Sequence, residues 1–239
     1  MVIPLSAKEE IGMDLTECIL TRKSIRAYKA TPVPKEILTR IMDEARRCTS
    51  CANTQPWEIA IIGGQAMEEL KKAQTESFLS GVVPNPDIPY PSASSTTWPE
   101  PYHSRRVALS RQMRIKAGID HDDKKQSREY SLKGYTFYGA PNGIIIYIDS
   151  SLSEWTIMDV GSFLETILLL AHNYGLGCCP LLQAVSWPDN IRRVLHIPDS
   201  KMIVVGLCIG YPDEDDIPVS GKHMTDRIPV AEIVTWHGV

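Results

Sequence analysis

The sequence is short of most features that assign a chain at sight. Its six histidines include no H-x-x-x-H or H-E-x-x-H spacing, so a catalytic metal is not expected. The only approach to a dinucleotide fingerprint, Gly175-Leu176-Gly177, is too short and closes a helix rather than opening one. Cys48-Thr49-Ser50-Cys51 matches C-x-x-C but has no second pair at zinc-ribbon spacing. It also lies at a helix C-terminus, where no N-terminal dipole lowers a thiol pKa. The six cysteines form no secreted-type framework, and Cys178 and Cys179 are adjacent, so a reduced, cytoplasmic protein is expected. Residues 1–13 lack a cationic start and contain Glu9 and Glu10, which argues against a targeting signal. The longest apolar run, residues 155–176, contains Asp159, Glu165 and His172 and reads as a buried core helix, not a membrane span. A net charge of −4 gives no whole-chain attraction to nucleic acid or to an anionic membrane. No repeat of solenoid period is present.

What remains is an ordinary globular composition, 43% hydrophobic and 23% charged. A first helix is expected over residues 14–22. Ile37, Leu38, Ile41, Met42, Ala45 and Cys48 then form an apolar helical stripe. A strand is expected over 57–62 and a helix over 65–78. Six prolines between Pro84 and Pro101 forbid regular structure there. Such a long segment is usually a binding loop, a lid or disordered. A polar helical region follows over 103–133, rich in cations that include Arg105, Arg106, Arg111 and Arg114. Buried strands are expected over 143–148 and 202–210, with the long apolar helix from Trp155 ending near Gly175 or Gly177. Ser186-Trp187-Pro188 reads as an N-cap followed by proline, opening a helix to Leu195. Asp213 opens an acidic turn over 213–216, and residues 233–236 read as a last strand or arm. Long helices among few strands favour an α+β or three-layer arrangement over a doubly wound one.

Two segments carry candidate chemistry. Arg22-Lys23-Ser24-Ile25-Arg26 places three cations and a hydroxyl within five residues, the groups that phosphate recognition uses. On charge alone a solvated basic turn is the commoner reading. Ser50-Cys51-Ala52-Asn53-Thr54-Gln55-Pro56-Trp57 sets amides and hydroxyls ahead of a strand, suited to the edge of a polar heterocycle. Taken alone, turn chemistry explains it better.

In their order along the chain, these two segments resemble the N-terminal signature of the nitroreductase family. Asp159-Val160-Gly161, the apolar helix to His172 and Gly175-Leu176-Gly177-Cys178-Cys179-Pro180 are similar to that family's central helix and flavin loop. Residues 204–212 resemble its late core strand, and Arg227-Ile228-Pro229 its last phosphate-binding element. The resemblance implies an α+β, three-layer α/β/α fold with a central, mainly antiparallel sheet in a domain-entwined homodimer. It implies one domain over 1–239 with a lid-like insert at about 79–133. It also implies bound FMN, with NADH or NADPH as electron donor.

On that resemblance Arg22, Lys23, Ser24 and Arg26 line FMN, with Arg26 near the N1–O2 edge and Arg22 and Arg227 near the phosphate. Ser50, Cys51 and Asn53 approach from the other subunit, and Pro180, Leu181, Leu182 and Gln183 pass the ring near N5. Two positions depart from some members. Leu182-Gln183 replaces an acidic residue and glycine, and Thr225 replaces a lysine, leaving Lys222 or Lys23 as the substitute cation. The implied activity is NAD(P)H-dependent, ping-pong reduction of a nitroaromatic or related small aromatic acceptor, with no catalytic protein side chain because the flavin carries the chemistry. Trp98, Tyr90, Tyr102 and Tyr130 are candidate stacking residues, and the basic insert is a candidate for steering anions. Alternatives are reductive dehalogenation, quinone or enone reduction, flavin fragmentation, or a flavin-binding sensor without turnover.

Overall fold

Four strands carry the architecture: β1 (Glu58–Gly63), β2 (Asn142–Asp149), β3 (Gly177–Leu181) and β4 (Lys201–Gly210). They form one antiparallel sheet in the order β1-β2-β4-β3. The structure is a computed structural model that describes residues 12–89, 98–120, 122–215 and 225–239. Both faces of the two central strands are buried, which explains why β2 reads as an unbroken isoleucine run rather than an alternating pattern. Ile144, Ile146 and Ile148 point into one core and Ile145 into the other.

The first core receives α2 (Lys35–Ala45) through Leu38, Ile41 and Ala45, and α6 (Thr156–Asn173) through Val160, Phe163, Ile167 and Ala171. Phe163 is fully buried and stacks on Trp57 at 4.7 Å. Truncating such a ring to alanine costs about 3–5 kcal/mol. The opposite core receives α3 (Gly64–Leu79) through Met67 and Leu70, and α7 (Pro188–Leu195) through Ile191. Helices on both sides of the sheet make the expected three layers of an α+β fold.

β4 contains one extra residue. Ile146 pairs with Val205 and Tyr147 with Ile203, so Val204 is bulged out of the ladder. The bulge shifts the alternation by one, sending Val205, Leu207 and Ile209 to the α6 side while Ile203 packs on the α7 side.

Several local expectations are corrected. The loop after α6 is not irregular: Gly175 takes the left-handed cap (φ 73°), whereas Gly177 begins β3. Ser186 is not the N-cap of α7. It is fully buried with its Oγ donating to the Leu182 carbonyl, and Trp187 holds the cap position ahead of Pro188. The polar helical region is two helices, α4 (Tyr102–Lys116) and α5 (Lys124–Tyr135). They are separated at Gly118 (φ 67°), and Asp123 caps the second through the amides of Lys125 and Gln126. Residues 233–236 form no strand within this chain; a single turn, Val230–Glu232, precedes them. The first helix, α1 (Leu15–Thr21), is capped by Asp14 and packs against α6. Among the described residues no helix is long and apolar enough to cross a membrane.

Candidate functional site

After α1 the chain turns extended at Arg22 and runs along the free edge of β3. Ser24 bridges Cys178 in parallel, the Ile25 amide donates to the Cys178 carbonyl at 3.0 Å, and the Lys29 amide donates to Tyr211 at 2.9 Å. This approach requires glycine at 177, because a Cβ there would meet Ile25 Cβ at 2.7 Å. The segment is fastened from below by Ile25, Ala27 and Tyr28, all buried. The basic cluster is therefore not a solvated turn but an edge strip whose backbone is fixed by the sheet.

Arg22 bonds Glu165 of α6 through Nε at 3.1 Å. His172, also on α6, bonds the Thr21 hydroxyl at 2.9 Å. Burial and then the Arg22 and Lys23 charges hold its imidazole below the usual histidine value. Arg26 turns to the opposite side. Its Nη1 donates to the Ser24 carbonyl at 3.4 Å, and the guanidinium lies 5.9 Å from the Tyr138 ring centre. Burial opposes its charge, but Cys179, Tyr138 and Tyr130 outweigh that, so its pKa is raised and the cation is fixed. Among the described residues neither Lys23 nor Arg26 has a carboxylate at ion-pair distance.

Behind Arg26 lies a thiol pair. Cys179 and Cys208 stand opposite each other across β3 and β4, and the Tyr28 hydroxyl contacts Cys208 Sγ at 3.0 Å. The neighbouring Cys208 thiol, with help from Arg26 and Ser24, lowers the Cys179 thiol pKa against burial. Burial pushes Cys208 up. Tyr28, Tyr138 and the thiol pair carry no signal in the sequence beyond being apolar or aromatic.

The remaining expected residues divide. Pro180 and Leu181 lie on β3, with Leu181 buried, while Leu182 is 51% exposed and faces outward. Gln183 follows β3, and its side chain lies on α5, where a Cβ on Gly134 would meet Gln183 Cδ at 2.9 Å. Ser50, Cys51 and Asn53 form a turn at the far end of α2, with Cys51 and Asn53 exposed. The Cys51 amide donates to Asp159 Oδ1 at 3.1 Å. Cys48 gains no activation; burial and Asp159 push its thiol up. Arg227 is exposed, and its hydrogen bonds stay local, Nη1 donating to the Thr225 carbonyl and hydroxyl at 2.7 and 2.6 Å. Thr225 thus orients the arginine rather than supplying charge. Lys222 and Tyr90 lie outside the described residues.

The insert reaches the strip from above. The Tyr130 hydroxyl is buried without a hydrogen-bond partner. Burial raises its pKa, against the nearby Arg26 and Arg114 charges. Trp98 is half-buried, and Tyr102 is exposed beneath Arg105 at 5.8 Å. A cavity of about 280 Å³ between α2 and β1, lined by Val33, Leu38, Ile62 and Asn142 among others, shares no residue with the strip. The arrangement can hold an anion against a sheet edge.

Comparison with known proteins gives a consistent result. Residues 19–211 match the model of the Nitroreductase family. The chain is 32% identical over 203 residues to a 4-nitrobenzoate reductase of Pseudomonas putida, covering 84% of this chain and 87% of that protein. It is 29% identical over 225 residues to a chloronitrobenzene nitroreductase of Comamonas testosteroni, covering 93% and 96%. Its fold matches the FMN-dependent nitroreductase NfnB of Mycobacterium smegmatis, solved with NADPH, at a TM-score of 0.86 and 22% identity, covering 93% and 97%.

Proposed function

The chain belongs to the nitroreductase family, and from that premise we propose a homodimeric, cytoplasmic, FMN-dependent oxidoreductase that uses NADH or NADPH to reduce nitroaromatic compounds. The observation that carries the proposal is the edge strip. Arg22, Lys23 and Arg26 gather on one sheet edge with Glu165 as the counter-charge to Arg22. Such a surplus of fixed cations fits a phosphate at one end and a ring that becomes anionic on reduction at the other.

When bound, FMN supplies the hydride chemistry, taking two electrons from the nicotinamide and passing two to the acceptor. The chain's own residues bind and tune. Arg22 and Lys23, with Arg227, hold the phosphate. Ser24 offers a hydroxyl, and Arg26 keeps positive charge where the reduced ring is negative. Leu182 presents an apolar surface to whichever planar compound occupies the site, which suits alternating donor and acceptor in a ping-pong sequence. Trp98, Tyr102 and Tyr130 of the insert cover it as a lid.

The dimer is inferred from exposed apolar residues on α1, at the start of α6 and near the C-terminus. Leu15, Ile19 and Leu20 on α1, Trp155 and Met158 at the start of α6, and Ile233 and Trp236 near the C-terminus are all open in one chain. A second copy covers them and brings Ser50, Cys51 and Asn53 to the partner's flavin. The free, mostly buried cysteines accord with a reducing compartment.

The test is direct. The purified protein should be yellow, elute as a dimer, and oxidise NADH or NADPH only when a nitroaromatic is added. Double-reciprocal plots against both substrates should be parallel. Intersecting lines would remove the ping-pong route, and a colourless monomer that FMN cannot reconstitute would remove the whole reading.

A further inference from the structure

The turn over residues 50–55 holds Ala52 and Gln55 in a left-handed conformation they do not favour. Ala52, Asn53 and Gln55 have φ of 48°, 59° and 48°, and none is glycine. All three are exposed, so nothing in this chain packs them into place. L side chains keep such backbones only where the surroundings over-determine them. The fastening is Asp159. It is the only carboxylate among the buried polar residues described, and it sits in the first turn of α6. Oδ1 accepts the Cys51 amide at 3.1 Å, while Oδ2 is buried and accepts nothing. No cation pairs with it among the described residues. A polar atom buried without a partner is costly to keep, so the carboxyl is held there for its one bond to the turn.

We infer that Asp159 is a positioning residue that locks the 50–55 turn and so aims Ser50, Cys51 and Asn53 at the flavin of the partner subunit. The inference rests on the proposed cross-subunit role of those three residues. From the anchored Cys51 amide the turn closes on itself. The Asn53 amide donates to the Ser50 carbonyl, the Thr54 amide to the Cys51 carbonyl, and the Gln55 amide to Ser50 Oγ. Without the anchor, the left-handed residues relax to ordinary backbone and their polar groups leave the partner's site.

The test uses FMN titration of the full-length protein, followed by visible absorbance. Asp159→Ala should weaken FMN binding about 10- to 100-fold, the scale of a hydrogen bond to a charged group. Asp159→Asn keeps an acceptor oxygen and should stay within about threefold of wild type. Ala52→Gly, added to Asp159→Ala, should restore part of the affinity, because glycine adopts φ near 50° freely. Should Asp159→Ala not fold, Ala52→Val opens the exposed turn with Asp159 intact and should weaken FMN about tenfold. FMN binding by Asp159→Ala or Ala52→Val equal to wild type overturns the inference. So does a loss in Asp159→Ala that neither the asparagine nor the glycine change repairs. A wild-type chain that binds no FMN ends the underlying reading instead.

Discussion

The edge strip over residues 22–29 and the insert over 79–133 face the same site but are held in different ways. The strip is fixed by backbone hydrogen bonds to β3 and to the chain after β4, and it buries Ile25, Ala27 and Tyr28. The described part of the insert relies mainly on side chains, beside a backbone bond from the Asn85 amide to the Ser186 carbonyl at 2.9 Å. Helix α4 buries no residue at all, and Arg114 ties it to Ser127 of α5 at 2.7 Å. Helix α5 is held to the body by the aromatic row Phe78, Tyr135 and Trp187, with ring centres 4.7 and 5.0 Å apart. Backbone pairing positions atoms to a fraction of an ångström, whereas a few side-chain contacts leave a segment among the first to open. On the proposed function, the strip offers the cofactor a preorganised backbone, while the described helices of the insert are held less tightly.

Four experiments press on this contrast. The largest effect is expected from Gly177→Val, which drives a side chain into Ile25. It should weaken FMN binding more than tenfold and lower stability by about 1–3 kcal/mol, read from flavin titration and chemical denaturation. A variant that binds FMN normally would show that the strip is not rigid. Next, Arg26→Gln should lower kcat about 100-fold, the scale of removing one fixed stabiliser of developing charge. It should also raise the Cys179 thiol pKa, measured by thiolate absorbance, since the Arg26 charge helps lower it.

Neutralising Arg105, Arg106 and Arg111 together should raise KM for anionic substrates several-fold at low salt, with little change at high salt, while FMN affinity stays constant. An unchanged KM sinks the steering role. The smallest effect concerns His172. Its folded pKa is depressed below the ordinary 6.5, so the unfolded chain binds the extra proton first, and stability falls as pH drops below that value. His172→Gln should flatten the fall in melting temperature between about pH 7 and 5; an equally steep fall would assign it to other groups.

The sequence was most informative where burial and periodicity agree. The α2 stripe, the isoleucine run of β2 and the apolar α6 are set by which residues must leave water, and each forms where expected. The strip was visible as charge, but its attachment was not, because pairing with β3 depends on a missing side chain at Gly177, far along the chain. β3 itself escaped notice since glycine, two cysteines and proline in five residues carry little strand propensity. The seat of the Gln183 side chain was equally hidden, because it depends on the missing side chain of Gly134 on α5. Asp159 stood in a quoted motif without a role, because its partner is a backbone amide, which no side-chain pattern can announce.

The bulge at Val204 reaches beyond the ladder that contains it. Beside it, the amide of Ile203 is donated to Asp87 Oδ2 at 2.7 Å, and the same carboxylate grips Arg192 of α7. Asp87 lies in the first part of the insert, so a one-residue surplus in a core strand sits beside a contact that ties the insert to the body. Deleting Val204 would exchange the faces of residues 201–203 and withdraw that contact, leaving the aromatic row on α5 to carry more of the load.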